Sequence, residues 1–118
     1  VSIRPLFAAM AVLALAGCAN DPAPHEQMRL TEQAITQAKA VGATADEMPE
    51  MKLAEDKFNR AKGNMADESF KNARMRAEQA ELDARLAEAK VLTQKSEEQL
   101  NVLNTRIIRL RKQLGDAQ

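Results

Sequence analysis

The sequence has no tryptophan, no tyrosine and three phenylalanines among 118 residues. A chain this poor in aromatics builds a thin core with little area buried per residue. It has one histidine, His25, with no second ligand beside it, which excludes an ordinary zinc site, so no metal is expected. Glycine and proline number four each, and they stand mostly near the front or at joints. Neither sign of charge dominates: 17 Lys and Arg balance 17 Asp and Glu, which argues against general nucleic-acid binding. No stretch alternates apolar with polar in the manner of a strand, and no apolar run reaches the length of a membrane-spanning helix.

What is present is alanine, joined by Glu, Lys, Leu, Arg and Gln, the composition of long helices and coiled coils. The length allows one domain. A thin alanine core gains from association with another surface.

The single cysteine lies in Leu13-Ala14-Leu15-Ala16-Gly17-Cys18-Ala19-Asn20. Residues 1–17 read as a secretion signal: Arg4 supplies a short positive region, Leu6 to Leu15 an apolar stretch, and Ala16-Gly17 the small residues before a cut. The opening Val suggests an alternative start or a few missing residues. Leu15-Ala16-Gly17-Cys18 resembles the lipobox of bacterial lipoproteins. The resemblance implies a diacylglycerol on the Cys18 sulfur, cleavage before Cys18 and acylation of the new amino group. Several acyl chains on one residue give stable anchoring, whereas one alone is marginal. Beyond these covalent acyl chains no cofactor is expected. Ala19, rather than Asp, follows Cys18, and this implies sorting to the outer membrane, on its periplasmic side. Residues 18–24 then form the lipidated cysteine and a tether in which Pro22 and Pro24 favour extended backbone.

The remainder predicts an all-α fold: a short antiparallel helical hairpin over 25–66, packed on a long third helix over 67–115 that continues as a coiled-coil-like C-terminal arm. The first helix runs from His25 to Val41 with Met28, Thr31, Ile35 and Ala38 on one stripe and Gly42 as its terminal cap. Pro49 opens the second, whose buried face is Met51, Ala54, Phe58, Ala61 and Met65, widened by Leu53; Gly63-Asn64 should break it. Met48, Met51, Met65 and Met75 read as adaptable core filling. The third is expected to start at Asp67, with Asp67 and Glu68 at its positive end, and to continue to Gly115.

Two apolar stripes run along this third helix. Phe70, Ala73, Ala77, Ala80, Ala84, Ala87 and Val91 are small enough for close approach and are assigned to the hairpin. Leu82, Leu86, Ala89, Thr93, Ser96, Leu100, Leu103, Ile107, Leu110 and Leu114 step by four and three, the spacing of a coiled-coil seam. The stripes lie roughly 160° apart, so one hairpin cannot cover both. Leu100, Leu103, Ile107, Leu110 and Leu114 are therefore the candidate partner-binding residues. Arg106 and Arg111 flank them, Arg109 and Lys112 add charge, and parallel self-pairing would bring like charges together. Four readings of this end stand: a loosely self-associating helix whose basic end suits the dipole, an acidic partner helix, contact with an anionic wall polymer or lipid head group, or a frayed solvent helix.

Catalytic chemistry is not expected. No glycine-rich phosphate loop and no Ser-His or Cys-His constellation is present, acylation would close the thiol, and carboxylates such as Glu81 stand one turn from bases such as Arg85.

The stretch Arg74 to Lys90, "RMRAEQAELDARLAEAK", resembles an uncharacterised helical domain of short Gram-negative lipoproteins, found in longer relatives before an OmpA-like peptidoglycan-binding domain. The likeness runs through Glu26-Gln27, Ala34-Ile35 and Ala38, then Pro49-Glu50 and Leu53-Ala54, then the alanine ladder to Lys90. It implies a periplasm-facing, outer-membrane-anchored helical module without an assigned activity. In plan the chain is also similar to the murein lipoprotein, but Gly115-Asp116-Ala117-Gln118 lacks the terminal lysine that joins that protein to peptidoglycan. Two roles follow as expectations: a helical interaction or assembly module that self-associates or binds another envelope protein, or a spacer touching peptidoglycan directly through Arg106, Arg109, Arg111 and Lys112.

Overall fold

In the computed structural model the described residues are 21–117, and they form three α-helices: α1 (His25–Val41), α2 (Pro49–Ala66) and α3 (Phe70–Asp116). The fold is all-helical, as the periodicity predicts. Helices α1 and α2 both pack chiefly on α3 and only lightly on each other. Ion pairs fix their directions. Lys39 of α1 meets Glu55 of α2 at 2.7 Å, while Lys57 and Glu50 of α2 reach Asp83 and Lys90 of α3. Falling numbers on α2 thus meet rising numbers on α3, so α2 runs antiparallel to α3; Thr31 beside Ala77 and Val41 beside Lys95 set α1 parallel to α3.

Alanine makes this arrangement possible. Ala73, Ala77, Ala80, Ala84 and Ala87 are fully buried on α3, so nothing larger than a methyl stands between its backbone and the two flanking helices along that line. The other sides of the core are Ala34, Ile35 and Ala38 from α1 and Met51, Ala54 and Phe58 from α2, with Ala43 closing the joint. Lys62 lays its ammonium 4.4 Å from the centre of the Phe58 ring, covering its outer side. Among the described residues Thr31 is the one buried polar residue; its hydroxyl shares its single hydrogen between the backbone carbonyls of Gln27 at 2.9 Å and Ala77 at 2.8 Å, tying α1 to α3.

Both short helices end in the same motif. After α1, Gly42 takes the left-handed conformation (φ 108°), its N–H donates to the Lys39 carbonyl and the Ala43 N–H to that of Ala38. Gly42 is therefore the cap that the sequence predicts. After α2 the residue in that place is Glu68 (φ 57°), with its N–H on the Met65 carbonyl and the Ser69 N–H on that of Asn64. Three expectations are corrected here. Gly63-Asn64 does not break α2, which continues to Ala66. Asp67 and Glu68 belong to the turn rather than to α3, which starts at Phe70 and passes through Gly115 to Asp116. Leu53 and Met75, assigned to the core, are 48% exposed. The physical reason for the first two is that the chain reverses by twisting Glu68, and Gly63 has nothing crowding it and stays helical.

A side chain in the left-handed region costs about 1–2 kcal/mol, part of which a glycine returns through the extra freedom of the unfolded chain. Glu68→Gly is therefore expected to stabilise the protein by about 0.5–1 kcal/mol. Urea denaturation checks this, and a loss of stability would show that Glu68 holds the turn by some contact of its side chain.

Candidate functional site

From Leu92 to Asp116 every residue of α3 is exposed. The hairpin stops short of this segment because α1 and α2 span 17 and 18 residues against 47 for α3. The free arm extends on the order of 40 Å beyond the three-helix unit. The uncovered part thus begins earlier than Leu100, at the end of the alanine line itself.

The base of the arm is fastened to the hairpin. Lys95 donates to the Val41 carbonyl at 2.6 Å, capping the carbonyl end of α1 from across the joint. Lys90 pairs with Glu50 at the start of α2 and holds that carboxyl below its ordinary range. One level lower, the Gln27 amide and then the Arg85 guanidinium do the same for Glu81, at 2.7 Å each. Arg85 is exposed as the spacing implies, but Glu81 is half-buried between Arg85 and the Gln27 amide of α1 rather than on a fully solvated face. Around the joint Val41, Met48, Glu50, Val91, Gln94 and Lys95 line a shallow open cleft in which Glu50, Lys90 and Lys95 are already engaged, while Glu47 and Glu98 are in no salt bridge among the described residues.

Above the joint the seam is laid open. Leu100, Leu103, Ile107, Leu110 and Leu114 are all exposed, Leu114 by 69%. The seam continues down the outer side of the three-helix unit through Leu82, which is 67% exposed two residues from the fully buried Ala80 and Ala84. The two stripes face apart, as the helical angles require. The line that carries the alanines becomes mostly polar past Val91, running through Glu98 and Thr105 to Arg109 with Val102 as its apolar exception. One exposed helix face apolar over four turns, with the rest of the surface mostly polar, is what a helix shows when it is built to meet another helix.

The basic residues do not form one patch. Arg106, Arg109 and Lys112 stand three apart and run from one flank of the seam round to the back, whereas Arg111 stands on the other flank. Arg111 shares that flank with Glu97, an acid just ahead of the leucines whose position in the heptad is the same. Among the described residues none of the four basic groups is in a salt bridge. Val102 and Ile108 are further exposed apolar residues that the strict seam does not include.

Cys18, the secretion signal and the first part of the tether lie outside the described residues. Among the described residues no group of His, Cys, Asp and Glu could hold a metal ion, and no helix is long and apolar enough to cross a membrane.

Compared with known proteins, the chain matches the model of one family, described as "Domain of unknown function (DUF4398)", over residues 26–103. The match takes in the whole three-helix unit and ends inside the arm; Arg106, Ile107 and the residues after them lie beyond it. The crystal structure of a protein of this same family from Pseudomonas aeruginosa PAO1 is similar at 65% sequence identity with a TM-score of 0.78, covering 82% of this chain and 100% of its own. No curated protein matches.

Proposed function

The chain belongs to the DUF4398 family, and from that premise we propose that it is a non-enzymatic lipoprotein, anchored through Cys18 in the outer membrane and facing the periplasm, that presents its arm as a helical interaction or assembly module of the envelope. The observation that carries this reading is the arm: an exposed helix with a leucine seam, held clear of the fold by a unit that is otherwise complete. The core itself is closed packing of Ala34, Ile35, Ala38, Met51, Ala54 and Phe58 against the alanines of α3, and the arm is the part of the helix that this packing does not use. The anchor rests on Leu15-Ala16-Gly17-Cys18 and on its position directly after the apolar stretch.

Metabolic labelling with palmitate in a Gram-negative host tests the anchor. The full chain should take up label and appear in the outer-membrane fraction. Cys18→Ser should take up none and should retain the uncleaved leader. An unlabelled wild-type chain would sink the lipoprotein reading.

A second reading keeps the anchor and makes the arm a spacer that touches peptidoglycan through Arg106, Arg109, Arg111 and Lys112. Their exposure favours it. Their placement limits it, because one flat surface cannot meet Arg111 together with Arg109 and Lys112. Binding to purified sacculi that needs no other protein and weakens with salt would favour the spacer.

A further inference from the structure

We infer that the occupant of the seam is a second copy of this chain, packed antiparallel over the arm from Ser96 to Leu114. The inference rests on the interaction-module reading above and goes further by naming the partner, its direction and its register.

The argument is one of charge and register. In a parallel pair in register, the flanking positions bring Arg106 of each copy against Arg111 of the other, so two like pairs line the seam. Reversing one helix changes the partners. With Leu103 facing the second copy's Ile107 and Leu100 facing its Leu110, four apolar layers close by symmetry, and Ser96 meets Leu114 at each end. In that register Glu97 of each copy stands beside Arg111 of the other, twice by symmetry. Asn104 meets its own counterpart, and Gln99 meets Gln113. One like pair remains, Arg106 with its counterpart across the axis, and its long stem lets the two charges swing apart into water. Two attractive pairs and one repulsive pair oppose two repulsive pairs, so the antiparallel arrangement is favoured. The antiparallel helix dipoles add to the preference.

Neighbouring registers are worse. A shift of one heptad towards the hairpin sets Ser96 against Ile107 and Thr93 against Leu110. A shift the other way leaves Leu100 without an apolar partner.

The register also sets how far the second copy reaches. In the favoured register the end of the second copy, at Asp116, reaches the level of Gln94. That is where the hairpin makes its last contact, Lys95 on the Val41 carbonyl. The hairpin and the second copy therefore take successive lengths of α3 on opposite faces, and Leu82 and Leu86 stay uncovered. The three-helix units then sit at opposite ends of a rod. Since α1 begins beside the first turns of α3, the two anchors of the proposed lipoprotein stand on the order of 100 Å apart. In one bilayer such a dimer lies along the membrane surface rather than standing on it.

The test uses residues 21–118, which hold all three helices and every core contact; the Pseudomonas neighbour, whose whole length matches 82% of this chain, shows that a chain of this extent is a folded unit. Analytical ultracentrifugation over a concentration series should give a monomer–dimer equilibrium. Arg111→Glu should weaken the dimer by about tenfold, and Glu97→Arg added to it should restore the affinity. A parallel dimer would respond oppositely, since Arg111→Glu would give it two attractive pairs with Arg106. Glu97→Cys mixed with Arg111→Cys should form a disulfide between copies on oxidation, and neither variant alone should do so; the fragment has no other cysteine. A monomer at every concentration, or a tighter dimer from Arg111→Glu, overturns the inference. Neither result touches the anchor, which the labelling experiment decides by itself.

Discussion

Replacing Ala84 by leucine is expected to lower the melting temperature of the protein by more than about 10 °C, although it adds a better helix-packing hydrophobe to a helix. Ala84 is fully buried in the cluster that joins Ile35, Ala38, Met51 and Phe58. Three further carbons there must push α1 or α2 away from α3, and overpacking of this kind costs about 1–3 kcal/mol or more. A unit of this size has about 5–10 kcal/mol in all, and an alanine core places it towards the lower end. The informative control is two residues away. Leu82→Ala removes a leucine from the same helix, but that leucine is 67% exposed, so the change should stay within about 0.5 kcal/mol. Adding a leucine should therefore harm the fold where removing one does not. Thermal melts of the two variants, followed by circular dichroism, check the pair. If Ala84→Leu is neutral or stabilising, the helices do not approach as closely as the alanine line requires.

The same contrast shows how much of the architecture can be read without coordinates. The two stripes on α3 were legible because helical period converts sequence spacing into angle, and alanine at one angle with leucine at the other leaves little choice about which side is enclosed. All five alanines of the ladder are indeed buried, and Leu82, Leu86 and Leu100 to Leu114 exposed. Gly42 was legible as a cap because glycine enters the left-handed region without cost. The turn after α2 was not, because Glu68 does at a price in strain what Gly63 would do freely, and propensity points to the wrong residue. Leu53 and Met75 misled for a related reason. A helix in contact with others through methyl groups buries a narrow stripe, so apolar residues only slightly off that stripe fall outside. At the candidate site the seam residues were legible, but the role of Glu97 was not. It lies outside the leucine run, and only the reversed direction of a partner brings it to Arg111. The interlock at the joint, with Lys95 capping α1, was also out of reach, because it depends on where two distant segments end beside each other.

Leu103→Glu combined with Leu110→Glu is expected to abolish association of the arm and to leave the three-helix unit standing. Each leucine enclosed in a helix pair contributes about 1.5–3 kcal/mol, and in a pair of identical arms each change counts twice. The combined loss should thus weaken association by at least a thousandfold, or about 4 kcal/mol. Glutamate and leucine differ little in helix propensity, so the substitutions act on the seam and not on the helix that carries it. The unit itself should not respond, since both positions lie several turns past Val91, the last residue packed against its core. Two measurements are needed together: sedimentation of residues 21–118 for association, and urea denaturation for the core. Hydrogen exchange adds a third. An isolated arm with no partner is marginal as a helix, so its amides should exchange freely in the variant and be protected in the associated wild type, while the amides around Ala80 and Ala84 stay protected in both. Association that survives the double change would mean that the contact runs along another line, such as one through Val102 or one through Ile108. Loss of the core with the seam would mean that the unit is not complete in one chain. The expected result, an intact core with a loosened arm, identifies the leucine seam as a surface that the fold supports but does not use.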